Sequence, residues 1–185
     1  QAANILMEEF YVKKGLNICL RKMIPVAAGM AGGSADAAAA FVGVNHIFKL
    51  GLSIDDLMQR AVKIGADVPY CLMRGTALAE GIGEKLTPLV PMPPCHILIG
   101  IPNISVLSKF VYGNLRTEKI KYHPDIRGMI RAIEEGSLSG MTARMANVLE
   151  LVTIPAHPVI EEIKKSMIAH GACNALMSGS GPTVF

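Results

Sequence analysis

Three glycines and one aspartate carry the clearest chemical potential in this chain. The run Pro25-Val-Ala-Ala-Gly29-Met-Ala-Gly32-Gly33-Ser34-Ala35-Asp36 lacks Cβ atoms at 29, 32 and 33, so its backbone is expected to turn tightly, with several residues at positive φ, and to approach a ligand closely. Ser34 and Asp36 are good helix-capping types, and Ala37 to Ala40 open a run of strong helix formers. The glycines therefore belong just before a helix N-terminus. Free N–H groups and the positive end of the helix dipole favour an anion such as phosphate there. Asp67, in Gly65-Ala-Asp67-Val-Pro69-Tyr70, offers a carboxylate that can accept the proton of an alcohol attacking a γ-phosphate, or orient that alcohol without taking the proton fully. Plainer readings stand beside both. The glycine run can be a turn capping an ordinary helix, and Asp67 an N-cap with proline in the first turn.

The elements that must position these residues follow from hydrophobic spacing. Residues 1–14 read as a helix, with Ile5, Leu6 and Phe10 among its apolar positions, and Leu16, Ile18 and Leu20 alternate as in a half-buried strand feeding the glycine run. The helix after the glycines, 34–49, ends at Gly51. Ser53-Ile-Asp-Asp56 then resembles a capping box for a helix through Leu57, Met58, Ala61 and Val62 that stops at Gly65. Glu80 and Glu84 flank a Gly-Ile-Gly hairpin turn and are better turn residues than catalysts. Pro91-Met-Pro-Pro94 is the strongest linker signal, which divides the chain into domains 1–90 and 91–185. Beyond it, 96–101 reads as a buried strand, Ser105 as the cap of a helix through Val106, Phe110 and Val111, and 113–123 as a polar loop. Helices follow at Ile126–Ile133, at about Leu138–Leu151, and through Ile160, Ile163 and Met167 to Gly171. Residues 172–177 complete the pattern as a strand before Ser178-Gly-Ser-Gly-Pro-Thr183.

Composition narrows the class. At 185 residues, 51% hydrophobic and 18% charged, the chain can bury a real core, as one large or two small globular domains. A net charge of +3 suits a polyanionic substrate but is far from the clustered basicity of a nucleic-acid binder. The four cysteines, Cys19, Cys71, Cys95 and Cys173, form no C-x-x-C pair, which points to a reduced, cytoplasmic setting. The five histidines show no metal-ligand spacing, the 11 methionines read as core filler, and no apolar run approaches a membrane span.

The glycine run fits neither a Walker loop, which needs Gly-Lys-Ser/Thr, nor the G-x-G-x-x-G fingerprint. It resembles the second motif of the GHMP kinases, the superfamily of galactokinase, homoserine kinase, mevalonate kinase and phosphomevalonate kinase. Within it, P-V-A-A-G-M-A-G-G-S-A-D is similar to the 4-diphosphocytidyl-2-C-methyl-D-erythritol kinases. Residues 65–84 and 176–185 resemble further segments of that family, so the likeness runs from end to end.

The resemblance implies an α+β, GHMP-kinase-like two-domain fold. Its N-terminal catalytic domain, with a left-handed crossover, would be truncated at its start, and its C-terminal domain, helices packed on an antiparallel sheet, truncated at its end. It implies ATP and Mg²⁺, and phosphorylation of the 2-hydroxyl of the cytidine-bearing acceptor in non-mevalonate isoprenoid synthesis. By the same resemblance Pro25, Val26, Ala27, Ala28, Gly29, Met30, Ala31, Gly32, Gly33, Ser34 and Ala35 hold the ATP phosphates, with Ser34 near the phosphates or Mg²⁺. Asp67 is then the catalytic base and a substrate contact, Tyr112 stacks on the cytosine with Ser108 also on the substrate, and Ser178, Gly179, Ser180 and Gly181 support the phosphate loop. Tyr112 as half-buried packing is the plainer alternative. Ala35 stands where many relatives carry a second serine. The partner is a small molecule, with neither nucleic acid nor membrane. Two other functions compete: a homoserine- or mevalonate-type kinase, expected to show G-L-G-S-S-A, and a non-catalytic nucleotide-binding module, since the family's N-terminal lysine-bearing strand and Asp-Gly-Tyr-His stretch are not in this sequence.

Overall fold

The computed structural model describes residues 1–26 and 28–185. Its elements are α1 (Ala2–Glu9), α2 (Gly32–Ile47), α3 (Ile54–Ala61), α4 (Val68–Met73), β1 (Thr76–Glu80), β2 (Lys85–Leu89), α5 (Ser108–Asn114), α6 (Ile126–Glu134), α7 (Leu138–Thr142), α8 (Glu150–Ala156) and α9 (Val159–Ala169). They divide into two compact units: residues 1–24 with 31–89, and residues 25–30 with 90–185.

The first unit is built on α2. Its alanines leave room for neighbours, and it packs against α1 and α4, while α3 also packs on α4. Phe41 and Val44 of α2 meet Leu6 of α1, Leu57 and Ala61 of α3, and Val68 and Leu72 of α4 in one buried cluster. The expected capping box forms: Ser53 accepts from the Asp56 N–H, and the Asp56 carboxylate accepts from the Ser53 N–H at 2.9 Å. The hairpin also forms, with Glu80 opposite Lys85 in antiparallel register. Glu84 serves its turn, accepting from the Ile82 N–H at 2.7 Å. Its own backbone N–H first, and that of Ile82 second, hold the Glu84 carboxyl below its usual range.

Two local expectations change here. The first helix ends at Glu9, well short of Lys14, because Tyr11 turns left-handed (φ 51) and the Val12 N–H returns to the Met7 carbonyl. Residues 16–20 form no strand, and Ile18 and Leu20 are more than half exposed. Alternation alone does not make a strand; a ladder needs a neighbour, and none pairs with this stretch among the described residues.

In the second unit Val111 of α5, Ile160 and Met167 of α9, and Met177 and Val184 of the chain's end form the buried centre. Antiparallel pairing takes the form of bridges centred on Val184, which faces both Gly100 and Met177. The segment 96–101 is therefore no buried strand: among the described residues only Gly100 is paired through its backbone, and Ile97, Leu98 and Ile99 are exposed. Likewise 172–177 contributes a bridge at Met177 and paired bonds between Leu176 and Phe185. Ser105 caps nothing, because α5 starts after Leu107, and the loop that follows it contains a short 3₁₀ turn, Thr117–Lys119. The expected helix over Leu138–Leu151 is two helices. It breaks after Thr142, and α8 begins only at Glu150. In the gap Asn147 turns its amide to other backbone. The helices at 126 and 160 stand as read, with Asp125 capping α6 through the Gly128 N–H. No helix among the described residues is long and apolar enough to cross a membrane.

Candidate active site

Helix α2 opens without a side-chain cap. Ala31 holds the N-cap position in the left-handed region (φ 48, ψ 26), and Gly32 is already helical. Ser34 and Asp36 thus lie inside the helix instead of capping it, and the positive φ values of the run fall on Gly29 and Ala31, not on Gly32 or Gly33. The N–H groups of Gly32, Gly33 and Ser34 have no intrahelical acceptor. With the dipole behind them they form a donor set suited to an anion.

Gly32 packs closely against the side chains that precede the run. A Cβ there would lie 2.8 Å from the Ile24 side chain and 3.2 Å from Lys22 Nζ. Lys22, which sequence reading passed over, forms an ion pair with Asp36. Its position just ahead of the Ile-Pro that opens the glycine run was the available signal.

Asp67 occupies the N-cap position of α4, with Pro69 in the first turn, yet makes no capping hydrogen bond. Its backbone is helical (φ −84, ψ −11) where a capping residue is normally extended. Asp67 thus holds the cap position with proline in the first turn, without the side-chain bond of a cap. The Asp67 side chain is exposed and makes no hydrogen bond or ion pair among the described residues, while its neighbour Val68 is buried in the cluster that includes Phe41 of α2. Its charge registers at Cys71, whose thiol is pushed up by burial first and by the Asp67 carboxylate second.

In the second unit the first part of the glycine run meets Ser178–Thr183. Ser178 Oγ donates to the Gly29 carbonyl at 2.8 Å, and Thr183 Oγ1 donates to the Ala28 carbonyl. At Gly29 (φ 70) a Cβ would fall 2.6 Å from the Ser178 carbonyl oxygen and 2.8 Å from that of Gly181. Only glycine fits. We expect Gly29→Ala to cost about 1–3 kcal/mol in urea unfolding, from backbone strain and the forced shift. An unchanged midpoint would mean the two segments do not touch in solution.

The supporting segment is itself held from behind. Asn147 Nδ2 donates to the Met177 and Gly179 carbonyls, each at 2.8 Å, and the buried Thr153 hydroxyl donates to the Ser180 carbonyl at 3.2 Å. Glu150 accepts from the Met177 N–H at 2.8 Å and from Lys164 Nζ at 2.6 Å. Thr183, Thr153 and Glu150 were not legible as site residues, because their partners lie far away in sequence. Ser108 Oγ lies 2.8 Å from Ser180 Oγ, joining α5 to the same segment. Tyr112, one turn further along α5, is 64% exposed, so it is not a packing residue. Pro25, Val26 and Met30 belong to this unit, Val26 being exposed, whereas Ala31 and Ala35 go with α2; Ala27 lies outside the described residues.

Comparison with known proteins returns the same architecture. Residues 1–75 match the GHMP kinases N terminal domain and residues 124–185 the GHMP kinases C terminal domain. A 4-diphosphocytidyl-2-C-methyl-D-erythritol kinase of Lachnospira eligens is 57% identical over the whole chain, and one of Enterococcus faecalis is 49% identical. The chain spans 64% and 65% of those proteins' lengths. Among solved structures, a 4-(cytidine 5'-diphospho)-2C-methyl-D-erythritol kinase superposes with a TM-score of 0.83 at 31% identity, over 99% of this chain and 65% of the other. A homoserine kinase from Cytophaga hutchinsonii gives 0.80 at 20% identity, which shows the shared fold. With both domain types present in order, and with relatives matching along its full length, the chain belongs to the GHMP kinases.

Proposed function

We propose that the protein of which this chain is a part transfers the γ-phosphoryl group of ATP to the 2-hydroxyl of 4-diphosphocytidyl-2-C-methyl-D-erythritol, a step of non-mevalonate isoprenoid synthesis in the cytoplasm. The names of the relatives that match the whole chain support this acceptor. The observation that supports the mechanism is Asp67: a carboxylate at a helix start, in the unit that holds α2, exposed and without a side-chain partner among the described residues.

Phosphoryl transfer asks the protein mainly for position and charge. The free N–H groups at the start of α2 hold the phosphates, with Ser34 beside them, and Gly29 and Ala28 are fixed by Ser178 and Thr183. Asp67 accepts or orients the proton of the attacking hydroxyl. Tyr112 presents an exposed ring on which a cytosine can stack, with Ser108 on the same helix. Ser34, in the first turn of α2, would stand near the phosphates or near an Mg²⁺ bound with them. Such an ion would neutralise phosphate charge.

The test is ADP release by the full-length parent protein against a panel of alcohols. Turnover with the cytidine-bearing acceptor, and none with homoserine or mevalonate, is the expected result. Preference for homoserine or mevalonate would overturn the acceptor, and ATP binding without turnover on any alcohol would mean a binding module.

A further inference from the structure

Lys22 is placed against ordinary electrostatics. A cation at a helix N-terminus opposes the dipole, yet the Lys22 ammonium lies beside Gly32, the first residue of α2, 3.2 Å from where a Cβ would stand. Asp36, on the same opening turns, is its partner, and the two side chains are 29% and 32% exposed. They stand 14 residues apart, on either side of the glycine run. Without Lys22, Asp36 would leave an uncompensated carboxylate beside N–H groups that are to receive a polyphosphate. Like charges at such distances repel, and partial burial weakens the screening by water and salt.

We propose that Lys22 is a positioning residue for nucleotide binding: paired with Asp36, it cancels the acid at the head of α2 and ties the two ends of the glycine run together. Lys22 acts through Asp36 and α2, not by touching phosphate. This rests on the kinase reading above.

The test uses the full-length protein and calorimetric titration with MgATP. Lys22→Met weakens MgATP about tenfold, while kcat at saturating ATP changes by less than about twofold, because the pair serves binding more than chemistry. Lys22→Arg keeps the pair and most of the affinity. The double variant Lys22→Met with Asp36→Asn removes both charges and regains most of what the single variant loses. A double variant as weak as Lys22→Met alone would overturn the proposal, since Lys22 would then act on phosphate directly. So would a Lys22→Met protein whose melting temperature falls while its affinity holds, which is what a merely structural ion pair produces. Should Lys22→Met fail to fold, Lys22→Arg decides: affinity lost with the pair retained rejects the role. A wild-type protein that binds no MgATP brings down the kinase reading itself, whereas a wild type that binds equally with Lys22→Met overturns the positioning role alone.

Discussion

Asp67→Asn in the full-length enzyme lowers kcat by about 10²–10⁴, the span lost with a positioned general base, while ATP affinity stays within about twofold. The variant keeps the size and shape of the side chain and removes only its basicity, so the loss falls on the chemical step. Stability offers a second readout. Because Asp67 makes no capping hydrogen bond, even Asp67→Ala should leave the melting temperature almost in place, where loss of a true N-cap costs about 0.5–2 kcal/mol. Single-turnover kinetics beside melting curves separate the two roles. A variant that keeps most of its turnover, or an alanine variant that melts several degrees lower, returns Asp67 to a structural part.

The second large effect is expected at Tyr112. Stacking of a base on an aromatic face is worth ~1–3 kcal/mol by alanine substitution, so Tyr112→Ala raises the KM for the cytidine-bearing acceptor about five- to 150-fold. The KM for ATP hardly moves. Since the ring is 64% exposed, little packing is lost with it, and the melting temperature should hold. Tyr112→Phe preserves the face and is nearly silent. An acceptor KM that stays put in the alanine variant removes the one stacking contact proposed for the cytosine.

What could be read from sequence was what is decided locally. The α3 capping box, the Gly-Ile-Gly hairpin turn, and the helices at 126 and 160 are fixed by residues three or four apart, and each formed. Strands depend on partners instead. Residues 16–20 and 96–101 carry apolar patterns, but without a neighbouring ladder along their length Ile18, Leu20, Ile97 and Leu98 remain exposed. The site divides the same way. Its glycine spacing was legible, whereas the missing capping bond of Asp67 goes with a backbone angle that no residue type announces, and Lys22 became visible only once its partner Asp36 was beside it.

The hydrogen bonds from Ser178 and Thr183 to Gly29 and Ala28 join residues 149 and 155 positions apart. Closing so long a span costs entropy that only late, cooperative contacts repay, and contacts of this separation form slowly. During synthesis the glycine run is made early but cannot acquire its final shape until the segment around Thr183 has left the ribosome. Helix α2 and its core can assemble from sequence nearer at hand, whereas the turn at Ala28 and Gly29 waits on Ser178 and Thr183. In an incompletely synthesised chain the Ala28 and Gly29 carbonyls are therefore left without these two donors.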